Sequence, residues 1–323
     1  MQATNWQPTA EVALLRKRAE MMAKIREFFA ERGVLEVETP LLSHATVPDP
    51  YILSIAATVH DPRSSTEKIC YLQTSPEYAM KRLLAAGSGC IYQICKAFRQ
   101  DELGRIHNPE FTMLEWYRLG FDHHALMDEV DEFLQAVAGT AAAERCSYQE
   151  LFEKWLNINP HEADLSTLEN CARQQSGIDL VGELDRDGWL NILMSHCIEP
   201  KIGQDRPIFV YDFPASQAAL SRVRQENPPV ASRVEVYFKG IELANGFHEL
   251  QSEKEQRSRF LDDLAMREKN NIPPVPIDER LLGALSHGLP ECSGIALGID
   301  RLIMLATDSP KLEKVMSFDF SRA

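Results

Sequence analysis

The spacing of apolar side chains predicts a helix and a strand near the start of the sequence. Residues 11–32 carry apolar side chains at helical intervals, and the narrow apolar face of this predicted helix consists of Leu15, Ala19, Met22 and Phe29. The face is broadened by Leu14, Met21, Ile25 and Phe28. Gly33 follows the last apolar position, where glycine commonly ends a helix. Residues 34–38 then predict a short strand.

The rest of the chain divides into segments whose patterns favour either strands or helices. Residues 144–197 are mostly helical in pattern, and we interpret Trp155 and Trp189 in this region as packing residues. The pattern further predicts strands at 91–99, at 110–118 and within 208–249, a helix at 252–269, and a strand that enters a helix at 294–305. Because hairpins and long insertions separate the strands, in place of regular βαβ units, the sequence predicts an α+β fold with an antiparallel sheet flanked by helices.

Composition restricts the kind of protein that this chain can be. The 323 residues are 44% hydrophobic and 25% charged, which is ordinary for a globular protein. The net charge of −14 argues against broad binding of nucleic acid through phosphates, but it leaves room for a small basic nucleotide pocket. No uncharged stretch approaches the ~18 residues of a membrane span, and no signal peptide is recognisable. Seven cysteines without a CxxC pair indicate reduced thiols, so we expect a soluble, cytoplasmic protein without a membrane partner.

The two predicted strands at 91–99 and 110–118 carry an unusual set of side chains. Arg99 ends the first strand, and alternation places on one face of the second strand Phe111, Glu115 and Tyr117. As a ligand-binding face, this set would hold an anion with the arginine, stack a ring on the phenylalanine and receive a cation at the carboxylate and phenol. The connecting loop adds Asp101, Arg105, His107 and Asn108. An exposed sheet face with a salt bridge is the alternative interpretation.

A second candidate site extends from Glu242 to Glu249. Asn245-Gly246 predicts a two-residue hairpin turn, which would place Glu242 directly opposite Glu249. Two facing carboxylates repel each other, so one would take up a proton or the pair would share a cation. Mg²⁺ carrying phosphates suits such oxygen ligands. Two solvated glutamates on a surface hairpin are the alternative.

A third candidate site is the glycine-containing segment 292–305. Gly294 and Gly298 would allow the backbone to approach a ligand closely, and Arg301 would lie in the first turn of the following helix. A helix start with an arginine suits a phosphate. Taken alone, such a strand-to-helix turn is weak evidence for function, and it matches neither of the two common nucleotide-binding glycine loops.

In this order, these segments resemble the three signature motifs of class II aminoacyl-tRNA synthetases. Motifs 1, 2 and 3 correspond to residues 33–40, 98–117 and 294–301. The lysyl branch of the family is particularly similar at residues 75–77, 107–117 and 242–249. Since the resemblance extends from about residue 14 to the end of the chain, it implies the class II synthetase catalytic fold.

Motif 1 begins within the first forty residues, so we expect no N-terminal OB-fold for anticodon binding and a single catalytic domain at 1–323. The chain in this respect resembles truncated bacterial paralogues of lysyl-tRNA synthetase. Members of that group activate (R)-β-lysine with ATP and attach it to a lysine of elongation factor P. The resemblance therefore implies ATP and Mg²⁺, β-lysine or lysine as substrate, elongation factor P as partner, no tRNA, and a homodimer built through motif 1.

The resemblance also assigns roles to individual residues. Catalysis is assigned to Arg99 and Arg301. Binding of ATP is assigned to Arg99, Gln100, Asp101, His107, Asn108, Phe111, Glu242, Leu243, Gly298 and Arg301. Binding of the amino acid is assigned to Ser75, Pro76, Glu77, Glu115, Tyr117, Asn245, Phe247, Glu249 and Ala296. The Mg²⁺ ligands would be Glu242 and Glu249.

Two positions depart from the pattern of lysyl-tRNA synthetases. Asp101 stands where a glutamate is usual, so its shorter arm alters the expected contact with adenine. Ala296 stands where those synthetases have glycine, and its methyl group narrows the amino-acid pocket, as in the β-lysine enzymes. Two other functions remain open from the sequence: a lysyl-adenylate-forming enzyme that charges tRNA or a small molecule, and an inactive regulatory paralogue. The hypothesis of an inactive paralogue is disfavoured, because the chain retains Arg99, Glu242, Glu249 and Arg301.

Overall fold

The computed structural model describes residues 6–63, 65–100, 102–177 and 184–323. The α-helices of this part of the chain are α1 (Val12–Glu31), α2 (Glu77–Ala85), α3 (His123–Ala138), α4 (Tyr148–Leu156), α5 (Leu165–Gln175), α6 (Arg186–Ile192), α7 (Glu253–Lys269), α8 (Glu279–Gly288) and α9 (Ile299–Ala306). Its strands are β1 (Leu35–Glu36), β2 (Leu42–Ser43), β3 (Ala56–Asp61), β4 (Thr66–Leu72), β5 (Ile91–Phe98), β6 (Glu110–Leu119), β7 (Glu144–Ser147), β8 (Ile208–Pro214), β9 (Val223–Arg224), β10 (Val230–Phe238), β11 (Ile241–His248) and β12 (Cys292–Gly298). None of the described helices is long and apolar enough to cross a membrane.

The chain divides into two compact units. Unit 1 contains the residues up to Gly120 together with Gln251–Cys292 and Ala296–Ala323. Unit 2 contains Phe121–Leu250 and Ser293–Ile295. The organisation as a single catalytic domain stays a prediction.

Unit 1 contains one larger and one small group of strands. In the larger group the strand order is β1, β5, β6, β12. Strand β1 is parallel to β5, whereas β5 and β6 are antiparallel over their whole length. The small sheet has the order β2, β4, β3 and is antiparallel.

Helix α1 buries only part of the apolar face that the sequence predicts. Met21, Ile25, Phe28 and Phe29 are buried, and the Phe29 ring stacks on Tyr92 of β5 with 4.4 Å between the ring centroids. Ala19, which was predicted on the same face, is exposed. The helix prediction is therefore confirmed, and most of the buried apolar residues lie in the second half of the helix.

Unit 2 combines a mostly antiparallel group of strands with the helices of residues 148–192. The strand order is β11, β10, β8, β7, and β9 pairs with β10. Strand β7 is parallel to β8, and β10 is antiparallel to both β8 and β11. The helices pack on these strands through Trp189, which is 1% exposed, and Trp155 packs at the edge of the same cluster. The interpretation of both tryptophans as packing residues is confirmed.

The predicted α+β class is confirmed, with corrections in detail. The strands are mostly antiparallel and are flanked by helices, but the β1–β5 and β7–β8 pairs are parallel. The predicted helical region at 144–197 begins with strand β7, which the helical pattern concealed. Residues 34–38 form only the two-residue strand β1.

The predicted hairpin at Asn245-Gly246 is wrong. Both residues lie inside strand β11, and the turn between β10 and β11 is at Lys239-Gly240, whose φ angles of 50° and 70° suit a two-residue hairpin. Gly246 serves a close approach of two backbones, since a Cβ there would lie 2.8 Å from the Gly294 oxygen and 2.9 Å from the Ile295 Cβ. The glycine therefore marks close packing and not a turn.

We predict that Gly246→Ala destabilises the protein by about 1–3 kcal/mol, because the added methyl group has no room. The matched control is Gly283→Ala in helix α8, where a Cβ meets nothing within 4 Å. Alanine at this position should raise the free energy of unfolding by about 0.5–1 kcal/mol. Equilibrium urea denaturation, followed by tryptophan fluorescence, measures both changes. Equal denaturation midpoints for Gly246→Ala and the unmodified protein would contradict the close-packing account.

Candidate active site

The residues predicted to form a ligand-binding face lie on one face of β5 and β6 in unit 1. The register pairs Gln93 with Glu115, Ile91 with Tyr117 and, further along, Ala97 with Phe111, so these residues share one face. Glu115 is 2% exposed, and the Tyr117 hydroxyl donates to its Oε1 at 2.6 Å. A buried carboxylate held by a phenol in this way can receive a cation.

The charge of Glu115 also affects the neighbouring Cys95. Burial, followed by the negative charge of Glu115, raises the pKa of the Cys95 thiol to about 12. The thiol is therefore neutral at physiological pH, which excludes Cys95 as a thiolate nucleophile. The chemistry of this face depends on Glu115 and not on the cysteine.

Arg99 lies at the end of the same face and is oriented by two neighbours. Its Nη1 is 3.5 Å from Glu102 Oε1, and its guanidinium carbon is 5.2 Å from the centre of the Phe111 ring. Its buried Nε has no hydrogen-bond partner among the described residues. A guanidinium placed in this way can donate to an anionic ligand, as the sequence predicts.

His107 and Arg301 are brought together, as their shared assignment requires. Arg301 Nη2 lies 2.7 Å from His107 Nε2, and Arg301 Nε donates to the Ile106 oxygen at 3.3 Å. Burial, followed by the Arg301 charge, lowers the pKa of His107. A neutral imidazole can accept the hydrogen bond, so His107 orients a guanidinium that keeps its charge. Arg301 is in the first turn of α9, as predicted.

The side chain of Asn108 is engaged by the protein itself. Its Nδ2 donates to the Glu110 oxygen at 2.6 Å, and its Oδ1 accepts from the Phe320 backbone N at 3.0 Å. This amide fixes the loop before β6 against the C-terminal segment. Of the other predicted nucleotide-binding residues, Gln100 is exposed and donates its backbone N to Leu53 at 2.7 Å, and Asp101 lies outside the described residues.

The predicted amino-acid residues Ser75, Pro76 and Glu77 lie at the start of helix α2. Pro76 is the N-cap, and the Glu77 backbone N donates to Ser75 Oγ at 3.4 Å. Glu77 Oε1 accepts from Lys81 Nζ at 2.7 Å, and Lys81 is only 1% exposed. Sequence reasoning missed Lys81, although the i,i+4 spacing of the two residues is the usual one for a helical ion pair.

In unit 2, the predicted placement of Glu242 directly opposite Glu249 is wrong, because Glu242 lies in the continuous strand β11 and faces β10. Glu242 pairs with Tyr237, and the residue before Tyr237 in β10, Val236, pairs with Ala244. Leu243 is therefore an extra residue in β11, which is a β-bulge. Because directly paired residues share a face, Glu242 lies on the face of Tyr237.

The same face of β11 carries further predicted residues of unit 2. Asn245 pairs with Glu235 and Phe247 pairs with Arg233, and Glu249 follows the last residue of β11, where it forms an isolated bridge with Ser221. Glu249 is 1% exposed. Carboxylates are the kind of oxygen ligands that Mg²⁺ prefers, so Glu242 and Glu249 fit the predicted metal role in their chemistry.

A buried charged cluster on this face was not predicted. Arg233 contacts Glu235, donates through Nη1 to the Gln217 oxygen at 2.9 Å, and donates through Nε to Asn245 Oδ1 at 3.2 Å. The Tyr237 hydroxyl donates to Glu235. Burial lowers the pKa of Arg233, but the charges of Glu235 and Glu242 outweigh it and raise the pKa. The polar residues at alternate positions 233 and 235 of an otherwise apolar strand were the available signal.

This cluster borders a cavity of about 290 Å³ within unit 2. Its walls combine the charged cluster and Glu242 with side chains of the helical region, among them Tyr148, Ser195 and Glu199. The cavity therefore places part of the region 144–200, for which the sequence suggested no chemistry, beside a predicted ligand-binding residue.

Comparisons with known proteins agree with the resemblance seen in the sequence. The family described as tRNA synthetases class II (D, K and N) matches residues 6–322. A protein of Vibrio cholerae named elongation factor P–(R)-β-lysine ligase is 55% identical over 324 residues, which cover 100% of both chains. Proteins of the same name from Pectobacterium carotovorum and Yersinia enterocolitica are each 52% identical over 100% of this chain and 99% of theirs.

We predict that Arg301→Gln raises the pKa of His107, because the variant removes a nearby positive charge while the burial of the imidazole remains. The matched control is Arg105→Gln, which removes an exposed arginine of the same loop and should leave the titration unchanged. An NMR pH titration of the imidazole protons measures the difference. If both variants titrate like the unmodified protein, Arg301 does not act on His107.

Proposed function

The chain belongs to the class II tRNA synthetase family of the D, K and N type, and we propose that it joins (R)-β-lysine to the ε-amino group of a lysine on elongation factor P. The observation that carries this proposal is the full-length similarity, at 50–55% identity, to proteins that bear this activity as their name. The reaction has two steps and takes place in the cytoplasm without tRNA.

In the first step, the carboxylate of the amino acid attacks the α-phosphorus of ATP, a new carboxyl–phosphate bond forms, and pyrophosphate leaves. Negative charge builds up on the phosphate in the transition state, and Arg99 neutralises it while also holding the amino-acid carboxylate. Arg301, oriented by His107 at 2.7 Å, binds the outer phosphates. Phe111 and the loop at Gln100, Asp101 and Asn108 position the adenine, and the rate gain comes mainly from positioning.

Mg²⁺ would accompany ATP and would be held by Glu242, which lies in β11, and by Glu249, which follows the last residue of that strand. When bound, the ion supplies positive charge to the phosphates. Glu242, with the backbone of Leu243, would also bind the nucleotide, and Gly298, the N-cap of helix α9, would allow the backbone to approach the phosphates.

The residues proposed to bind the amino acid follow from the family resemblance, and charge supports part of this assignment. Glu115 and Tyr117 take the ε-ammonium group, because this carboxylate is buried and is held by the phenol at 2.6 Å. Glu77, at the start of α2 with Ser75 and Pro76, takes the other amine. The remaining residues proposed to bind the amino acid are Asn245, Phe247 and Glu249. The methyl group of Ala296 would narrow the amino-acid pocket.

In the second step, the ε-amine of the acceptor lysine attacks the carbonyl carbon of the adenylate. A carbon–nitrogen bond forms, the carbon–oxygen bond to AMP breaks, and the amine loses a proton. No covalent intermediate with the enzyme is needed, in agreement with the neutral Cys95 thiol on this face.

The function is tested by the intact mass of purified elongation factor P after incubation with the protein, Mg·ATP and (R)-β-lysine, with α-lysine in parallel. We expect one added lysyl unit, with a larger modified fraction for β-lysine. If elongation factor P stays unmodified while AMP is released in the presence of the amino acid, the acceptor is tRNA or a small molecule. The absence of both a mass gain and AMP release would favour an inactive regulatory protein.

The selectivity in this experiment is examined with Ala296→Gly. Loss of the methyl group widens the pocket, so the modified fraction obtained with α-lysine should rise relative to that obtained with β-lysine. An unchanged ratio would remove Ala296 from the account of selectivity without affecting the ligase function itself.

We predict a homodimer that uses the first half of α1 and the strand that follows it. Val12 and Leu35 are 60% and 55% exposed, and β1 lies at the end of the strand order of unit 1. Sedimentation equilibrium should give twice the mass of the chain, and Leu35→Glu should shift the equilibrium toward the monomer. A fully active monomer at the same concentration would contradict this arrangement.

A further inference from the structure

Arg18 of helix α1 connects three elements of unit 1. Its Nη1 donates to Asp300 Oδ1 at 2.6 Å and to the Val315 oxygen at 3.3 Å. Its Nη2 donates to the Thr112 hydroxyl at 2.8 Å. The guanidinium therefore forms a fork between helix α9 and strand β6, a geometry that only arginine offers.

The partners of Arg18 are buried and are joined to each other. Asp300 is 2% and Thr112 is 6% exposed. The second carboxylate oxygen of Asp300 accepts from the Thr112 backbone N at 2.6 Å. Strand β6 and helix α9 are thus tied together by one carboxylate, whose charge Arg18 balances. A buried carboxylate that loses its cation is strongly unfavourable, so this junction requires Arg18.

Both partners are next in sequence to residues proposed to bind ATP. Phe111 precedes Thr112, and because successive strand residues point to opposite faces, the Arg18 network lies behind the face that carries Phe111. Arg301 follows Asp300 in the first turn of α9. The junction therefore sets the position of the ring and of the guanidinium at the same time.

We propose that Arg18 is a positioning residue of the ATP site, which fixes Phe111 and Arg301 relative to each other through Thr112 and Asp300. This inference rests on the proposed function. The inference gives Arg18, which lies in a helix to which no ligand-binding residue is assigned, a specific effect on ATP and not on the amino acid.

The test uses Arg18→Gln, Arg18→Lys and Thr112→Val, with Arg26→Gln as the matched control. Arg26 is on the same helix, and its guanidinium pairs at the surface with Glu36 at 3.1 Å. Pyrophosphate exchange into ATP, dependent on β-lysine, gives KM for both substrates. Arg18→Gln should raise KM for ATP about tenfold or more and leave KM for β-lysine within about twofold. Arg18→Lys should be intermediate, because an ammonium cannot reproduce the fork, and Arg26→Gln should be unchanged.

A second readout does not depend on turnover. Mg·ATP alone should raise the melting temperature of the unmodified protein, and it should do so less for Thr112→Val, which removes one hydroxyl and keeps the shape. Equal KM values for ATP in the Arg18 variants, or a parallel rise of both KM values, would overturn the inference. If the unmodified protein shows no exchange, the proposed function fails; a smaller thermal shift in Thr112→Val would still support the positioning role, and an equal shift would refute it.

Discussion

Buried charge that must be balanced is the constraint on which both units depend. In unit 1, Arg18 balances Asp300 at 2.6 Å and Lys81 meets Glu77 at 2.7 Å. In unit 2, Arg233 pairs with Glu235 on the strand face that also carries Glu242. Removal of one member of such a pair costs about 3–5 kcal/mol. These pairs therefore fix the backbone directly beside the residues that are assigned to ATP, Mg²⁺ and the amino acid.

This arrangement would allow a protein of net charge −14 to bind ATP, as proposed. Exposed charges more than about 10 Å apart are largely screened, so the local groups decide binding. Arg99 and Arg301 are held by neighbours before any ligand arrives, the former near the Phe111 ring and the latter by a neutral His107. Groups that are oriented in advance stabilise developing charge without a cost of reorganisation during the reaction.

The sequence predicts features that depend on local periodicity. Alternation and helical spacing account for the side chains that share a face of β5 or β6, for the buried position of Phe29 on α1 and for the place of Arg301 in α9. Prediction from the sequence fails where residues distant in the chain determine the local structure. Gly246 looks like a turn residue, but Gly294 and Ile295 determine its role. The Arg233–Glu235 cluster was likewise missed, because burial by the helical region 148–199 is not visible in the pattern of the strand.

The central claim is that the amino acid is activated as an adenylate before any protein acceptor is present. Exchange of labelled pyrophosphate into ATP, measured with (R)-β-lysine in the absence of elongation factor P, tests it most directly. The account predicts exchange that requires the amino acid and Mg²⁺ and that is lost in Arg99→Ala. Products of ADP and phosphate, or exchange that appears only after the acceptor is added, would contradict it.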